Sequence, residues 1–117
     1  MSGFEIAQKE DSGIITLHLK GFLDAHTAPE LEAELQSCVD HMKHKIIVNF
    51  QELGYISSAG LGVFMGFIEE IRSHGGDIKL TNMSSKIFRV FDLLGFPALY
   101  EIFKTEEEAV QKFTADV

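Results

Sequence analysis

Apolar positions along this chain switch between a period of two and a period near 3.6, and the switches delimit its elements. Phe4, Ile6 and Ala7 predict a weak opening strand, and Asp11-Ser12-Gly13 predicts a turn. The β-branched run from Ile14 to Lys20 alternates, with Ile15, Leu17 and Leu19 on one face, which completes an antiparallel hairpin. Thr27 and Glu30 have the spacing of a capping box and Pro29 fits the first turn, so a helix starts there. Leu31, Leu35, Cys38, Val39 and Met42 recur at helical spacing and form its buried face. Lys45 to Phe50 is a short, largely apolar run suited to a strand covered on both faces.

A loop through Leu53, Gly54 and Tyr55 then leads to a second helix near Ser57-Ser58, with Leu61, Phe64, Met65, Ile68 and Ile71 as its core stripe. Gly75-Gly76 ends it, and Asp77 to Leu80 is a short strand. Ser84 or Ser85 caps a third helix carrying Ile87, Phe88, Val90, Phe91 and Leu94, which stops at Gly95-Phe96-Pro97. Leu99 to Phe103 reads as an edge strand. Thr105 with Glu108 is a second capping box, opening a helix with Ala109, Val110 and Phe113. The order β-β-α-β-α-β-α-β-α predicts an α/β domain: a mixed, mostly parallel sheet of four to five strands with about four helices. Residues 1–117 read as one domain with a core from about 4 to 113, without linker, repeat or low-complexity tract.

Composition narrows the function classes. Ten basic and eighteen acidic residues give a net charge of −8, which lacks the basic footprint of a nucleic-acid or anionic-membrane binder. The acid is concentrated early: residues 1–42 carry eight carboxylates against two lysines, and residues 43–117 ten against eight cations. Cys38 is the only cysteine, on the buried face of the first helix, so neither an internal disulfide nor a cysteine-based metal site is expected. Met1 to Glu5 lacks a signal-peptide pattern, and no apolar stretch approaches the ~18 residues of a membrane span, so a soluble cytoplasmic protein without membrane insertion is expected.

The segment from Tyr55 to Gly66 is locally expensive. Gly62 and Gly66 each weaken a helix by ~1 kcal/mol relative to Ala. With Ala59, Val63 and Phe67 they trace a second, small and apolar stripe, suited either to close approach of a partner or to tight packing on the chain's own sheet. One of Ser57 and Ser58 can serve as N-cap, leaving the other hydroxyl at the positive end of a helix, where a phosphate is tolerated.

These residues carry a resemblance. Ile56-Ser57-Ser58-Ala59-Gly60-Leu61-Gly62 resembles the signature loop of the STAS domain family, the anti-sigma factor antagonists. Gly21-Phe22-Leu23-Asp24 with Ala28 and Leu31, Asn49-Phe50, the Leu53 to Gly62 stretch, Gly75-Gly76 and Phe91 to Gly95 are similar to that family in order and spacing. The resemblance implies a bacterial binding protein, not an enzyme, that needs no cofactor or metal. In that scheme the unphosphorylated antagonist binds an anti-sigma factor that is also a serine kinase. Phosphorylation then switches it off, and a serine phosphatase reverses the step. Matched residue by residue, Ser58 is the acceptor, Ser57 stands where the family usually has Asp and is an alternative acceptor, and Asp24 faces the partner. The implied partner surface is Asp24, Ser57, Ala59, Gly60, Gly62, Val63, Gly66 and Phe67, on a chain that is a monomer or weak dimer alone. A soluble STAS subunit of a transporter or lipid-trafficking system is the alternative.

Other groups add less. Asp24 equally suits a loop capping role, and Glu30, Glu32 and Glu34 extend the acidic face. His18, His26, His41, His44 and His74 are scattered; His41 and His44 sit three apart without a third ligand. Ser58 with His26 and Asp24 makes a triad on paper, but Ile56 occupies the position where a nucleophile elbow needs a small residue.

Overall fold

A computed structural model describes residues 3–115; Met1, Ser2, Asp116 and Val117, which belong to the N-terminal and domain-span readings, lie outside them. The elements are β1 (Glu5–Asp11), β2 (Ile14–Leu23), α1 (Ala28–Asp40), β3 (Lys45–Ile56), α2 (Ser58–Ser73), β4 (Asp77–Thr81), α3 (Ser85–Leu93), a 3-10 turn (Phe96–Ala98), β5 (Ile102–Phe103) and α4 (Glu106–Ala115). The order is the expected one, in a five-stranded sheet whose strands lie side by side in chain order. β1 and β2 are antiparallel, joined by Ser12 and Gly13, both at positive φ as a two-residue hairpin turn of matching twist requires. β2, β3, β4 and β5 are parallel.

Strand order fixes the layers. Right-handed crossovers that always step in the same direction place α1, α2 and α3 on one face of the sheet. The main core follows: Ile15, Leu17, Leu19, Ile46, Val48 and Phe50 from the strands meet Leu31, Leu35, Phe64, Ile68 and Phe91 from the helices. α4 instead closes a smaller cluster of Ile14, Ile47, Ala109 and Phe113 on the other face. No helix among the described residues is long and apolar enough to cross a membrane.

Several sequence expectations are corrected. The loop expected at Leu53 to Tyr55 is strand: β3 runs on to Ile56, paired with Leu23, through register shifts in the β2 pairing between His18 and Lys20 and between Gly21 and Phe22. Gly21 sits at the second of these shifts at φ +98°, and a Cβ there would come 1.8 Å from the Gly3 carbonyl oxygen. The edge strand expected from Leu99 shrinks to Ile102–Phe103, because the 3-10 turn delays the chain's return to the sheet and Tyr100 turns into the core, stacked on Phe96 at 5.2 Å. Met42, Met65, Phe88 and Leu94, expected inside, are exposed; Met42 has already left α1 at φ +60°. Thr27 and Glu30 do not form a capping box. By contrast Thr105 and Glu108 do, with Glu108 N–H to Thr105 Oγ1 at 3.2 Å and Thr105 N–H to Glu108 Oε1 at 3.1 Å. Ser84 caps α3 through Ile87 N–H at 3.2 Å.

Candidate functional site

The C-terminal ends of β2 and β3 carry the site. Leu23 and Ile56 lie side by side in the sheet and point into the core, and the Ser57 N–H donates to the Leu23 carbonyl at 2.9 Å. That bond pins the first turn of α2 to the sheet. Gly60 completes the junction: a Cβ there would come within 2.7 Å of Leu23 Cγ and 3.2 Å of Ile56 Cγ1, so only glycine lets the helix sit this close.

The two serines separate here. Ser57 occupies the N-cap position with extended backbone, but its side chain makes no cap bond, and its Oγ is buried without a hydrogen-bond partner among the described residues. Ser58 is the first residue of α2 and is exposed. No acidic residue lies in the first turn. The helix therefore presents its positive end beside the Ser58 hydroxyl, with neither a carboxylate nor a capping oxygen from its own first turn in competition.

The stripe expected from sequence also separates. Ala59, Gly62 and Gly66 are exposed. Gly60, Val63 and Phe67, expected on the partner face, are buried; Val63 and Phe67 belong to the main core, because the buried face of α2 extends beyond the Leu61, Phe64, Ile68 and Ile71 stripe to take them in. A Cβ added at Gly62 or Gly66 would meet nothing within 4 Å. The fold itself does not require glycine at either position.

Asp24 follows β2 and organises the turn into α1. Its Oδ1 accepts from His26 N–H at 2.9 Å and Thr27 N–H at 3.2 Å, while Thr27 Oγ1 accepts from Asp24 N–H at 2.9 Å and donates to the Phe22 carbonyl at 2.8 Å. This turn occupies the Thr27 hydroxyl, which explains the missing capping box. Desolvation opposes ionisation of Asp24, but the Thr27 and His26 N–H groups, the Thr27 hydroxyl and the nearby His26 outweigh it and hold the carboxyl below its ordinary value. Asp24 is thus an ionised turn-former that stays half-exposed. A groove of about 270 Å³ runs between the starts of α1 and α2, with Ala28, Pro29, Ala59 and Gly62 in its walls and Glu32 as its only charge. Glu30, Glu32 and Glu34 have no ion-pair partner among the described residues.

One feature escaped the sequence reading. Phe22 and Tyr55 are cross-strand neighbours at the same end of the sheet, 57% and 45% exposed, with ring centroids 6.2 Å apart in an edge-to-face pair. Placing Tyr55 in a loop hid the pairing that makes the patch. Asp24 follows Phe22 by two residues and Ser58 follows Tyr55 by three, so the aromatic pair borders the serine; three residues span at most ~11 Å.

The remaining candidates are structural. Ser58 makes no hydrogen bond to His26 or Asp24 among the described residues, so the paper triad is not assembled. His44 and His74 stack at 4.4 Å, while His41 Nδ1 bonds the Ser37 carbonyl oxygen, and no cluster of three or more metal-ligating side chains occurs among the described residues. Cys38 is buried, and desolvation pushes its thiol up to about 11.

Comparison with known proteins identifies the family and the fold. The STAS domain profile matches residues 5–109. An anti-sigma-B factor antagonist of Bacillus subtilis is 29% identical over 103 residues, covering 88% of this chain and 94% of that one. Its namesake in Listeria monocytogenes is 31% identical over 103 residues, covering 86% and 89%. Among solved structures, the anti-sigma factor antagonist SpoIIAA in its unphosphorylated form superposes with a TM-score of 0.83 at 25% identity, covering 97% of this chain and 99% of that one. SpoIIAA of Bacillus in its phosphorylated form gives 0.72 at 26% identity, over 94% and 98%. The profile, the relatives and the fold coincide over nearly the whole length: this chain belongs to the STAS domain family.

Proposed function

We propose that this chain is an anti-sigma factor antagonist whose binding surface surrounds Ser58 and which is switched off by phosphorylation of that serine. The observation that carries the reading is the split between the two serines: the Ser58 hydroxyl is open at the start of α2, and the Ser57 hydroxyl is enclosed. The partner is an anti-sigma factor with serine kinase activity, and a serine phosphatase restores the binding form. Ala59, Gly62 and Gly66 form the close-approach face, Asp24, Glu30 and Glu32 its acidic border, and Phe22 with Tyr55 an aromatic anchor of the kind that concentrates binding energy. The relatives are named for the antagonist role, which favours it over a transporter-associated subunit.

The test is to incubate the chain with the anti-sigma kinase of its own host and ATP. Intact mass should rise by one phosphate in the wild type and in Ser57→Ala, and stay unchanged in Ser58→Ala. The phosphorylated product should no longer co-elute with the kinase. A phosphate retained in Ser58→Ala, or no complex with unphosphorylated protein, refutes the reading.

A further inference from the structure

A cavity of about 890 Å³ opens between α3 and β5, built from residues that take no part in the Ser58 surface. Its size falls within the ~300–1,000 Å³ range of small-molecule sites. Phe88 and Ile102 supply an apolar wall, and Phe88 is 39% exposed there while its helix neighbours Ile87 and Phe91 are buried; Phe103 reaches the rim, and its ring packs on the α4 cluster. The base of the cavity is tied down by packing and hydrogen bonding. Tyr100, which also lines it, is stacked on Phe96 at an interplanar angle of 9°, and Arg72 holds the adjoining Leu99 carbonyl through Nη2 at 2.5 Å.

Charge singles out one kind of occupant. Arg89 on α3 and Lys104 just after β5 both line the cavity, and neither has an ion-pair partner among the described residues. Of the two carboxylates in the lining, Glu101 is already held by Lys79 and Lys112, which leaves Asp92 against two free cations. In a chain of net charge −8, an excess of unpaired cations over unpaired carboxylates beside exposed aromatic surface stands apart. The backbone adds a donor. The Glu101 and Phe103 carbonyls accept from Leu80 N–H at 3.0 Å and Asn82 N–H at 3.2 Å, so strand alternation turns the Ile102 N–H to the open edge of the sheet.

We propose that this cavity binds a small amphipathic organic anion, with its apolar body against Phe88 and Ile102 and its anionic head between Arg89 and Lys104. An acyl carboxylate and an aryl carboxylate share that chemistry. The probe is 8-anilinonaphthalene sulfonate, titrated into the full chain and followed by fluorescence. Saturable one-to-one binding is expected, weakened at least about tenfold, or ~1.4 kcal/mol, in Arg89→Glu, Lys104→Glu and Phe88→Ser. All three side chains are exposed, so the variants should keep the wild-type far-UV spectrum and melting temperature. Amide shift changes should fall within residues 83–104. Displacement by decanoate identifies an acyl body, and displacement by naphthoate a flat ring. Failure of both to displace the probe, equal binding by wild type and all three variants, or shift changes centred elsewhere overturns the proposal.

Discussion

Gly62 and Gly66 offer a test in which stability and binding should move in opposite directions. Both lie inside α2, where glycine is ~0.8–1.0 kcal/mol worse than alanine, and a methyl group at either position would meet no neighbour within 4 Å. The double variant Gly62→Ala/Gly66→Ala should therefore gain about 1.5–2 kcal/mol. For a chain of this size that corresponds to a rise in Tm of roughly 5–10 °C. If the bare helix face is where the partner packs, two methyl groups at close range should weaken the complex by about five- to 150-fold, since overpacking a formed contact costs ~1–3 kcal/mol. Gly60→Ala is the control on the same helix. Its methyl would meet Leu23 Cγ at 2.7 Å, so it should lower stability by ~1–3 kcal/mol. Thermal unfolding by circular dichroism and calorimetric titration against the anti-sigma factor read the two quantities. A stabilised double variant that binds as well as wild type refutes the assignment of this face, and a destabilised one refutes the claim that nothing internal needs these glycines.

Three further outcomes follow from the surrounding geometry. Thr27→Val removes the hydroxyl that donates to the Phe22 carbonyl and accepts from Asp24 N–H at a 2% exposed position, so the urea midpoint should fall by the equivalent of ~1–3 kcal/mol with an unchanged m-value. Glu106 ties α4 to the sheet: desolvation raises its pKa, but the Asn49 hydrogen bond at 2.5 Å, His18 and Lys9 outweigh that and hold it below the ordinary value. A lowered folded-state pKa stabilises above the unfolded value of ~4.3 and loses that contribution as pH falls through the folded value; the stability gap between wild type and Glu106→Gln, from pH-resolved urea titrations, should be full at neutral pH and narrow under acid. Cys38, buried with its thiol raised to about 11, should resist iodoacetamide in the native chain and react readily in urea; rapid native labelling would contradict its place in the core.

Much of this fold was legible because local signals and tertiary demands agree. The hairpin, the parallel order, the N-cap at Ser84 and the capping box at Thr105 each rest on a residue that does locally what its spacing implies. The misreadings share one cause, since each depends on a distant partner. Gly54 and Tyr55 look like a loop until Leu23 and the bulged end of β2 are there to pair with them. Thr27 looks like a cap until Asp24 and Phe22 claim its hydroxyl. Val63 and Phe67 look like a second stripe until α1 and the sheet bury them. The serines are the sharpest case. Both fit the N-cap pattern, and only the seating of α2 against Leu23 decides that one hydroxyl is enclosed and the other open.

The sign of the charge on this surface constrains how a phosphate could switch it. Asp24, Glu30 and Glu32 lack cationic partners among the described residues, so a complementary partner surface is basic. A phosphoserine adds about −1.5 to −2 charge, and by Coulomb attraction alone that would tighten a complex with a basic partner. In the proposed complex, loss of binding must then come from size and desolvation: a partner packed close against the exposed Ala59, Gly62 and Gly66 would leave no room for a hydrated dianion at Ser58 unless it lost its water. Local unfolding is a poor alternative, because the Ser57 to Leu23 hydrogen bond and the Gly60 contact anchor the turn, and a helix N-terminus favours the anion. The two mechanisms separate in a series at Ser58. Steric exclusion predicts that neutral Ser58→Gln blocks the complex as firmly as Ser58→Glu and that added salt rescues neither. If Ser58→Gln binds like wild type while Ser58→Glu fails and salt restores it, repulsion is the switch and the partner surface is not basic.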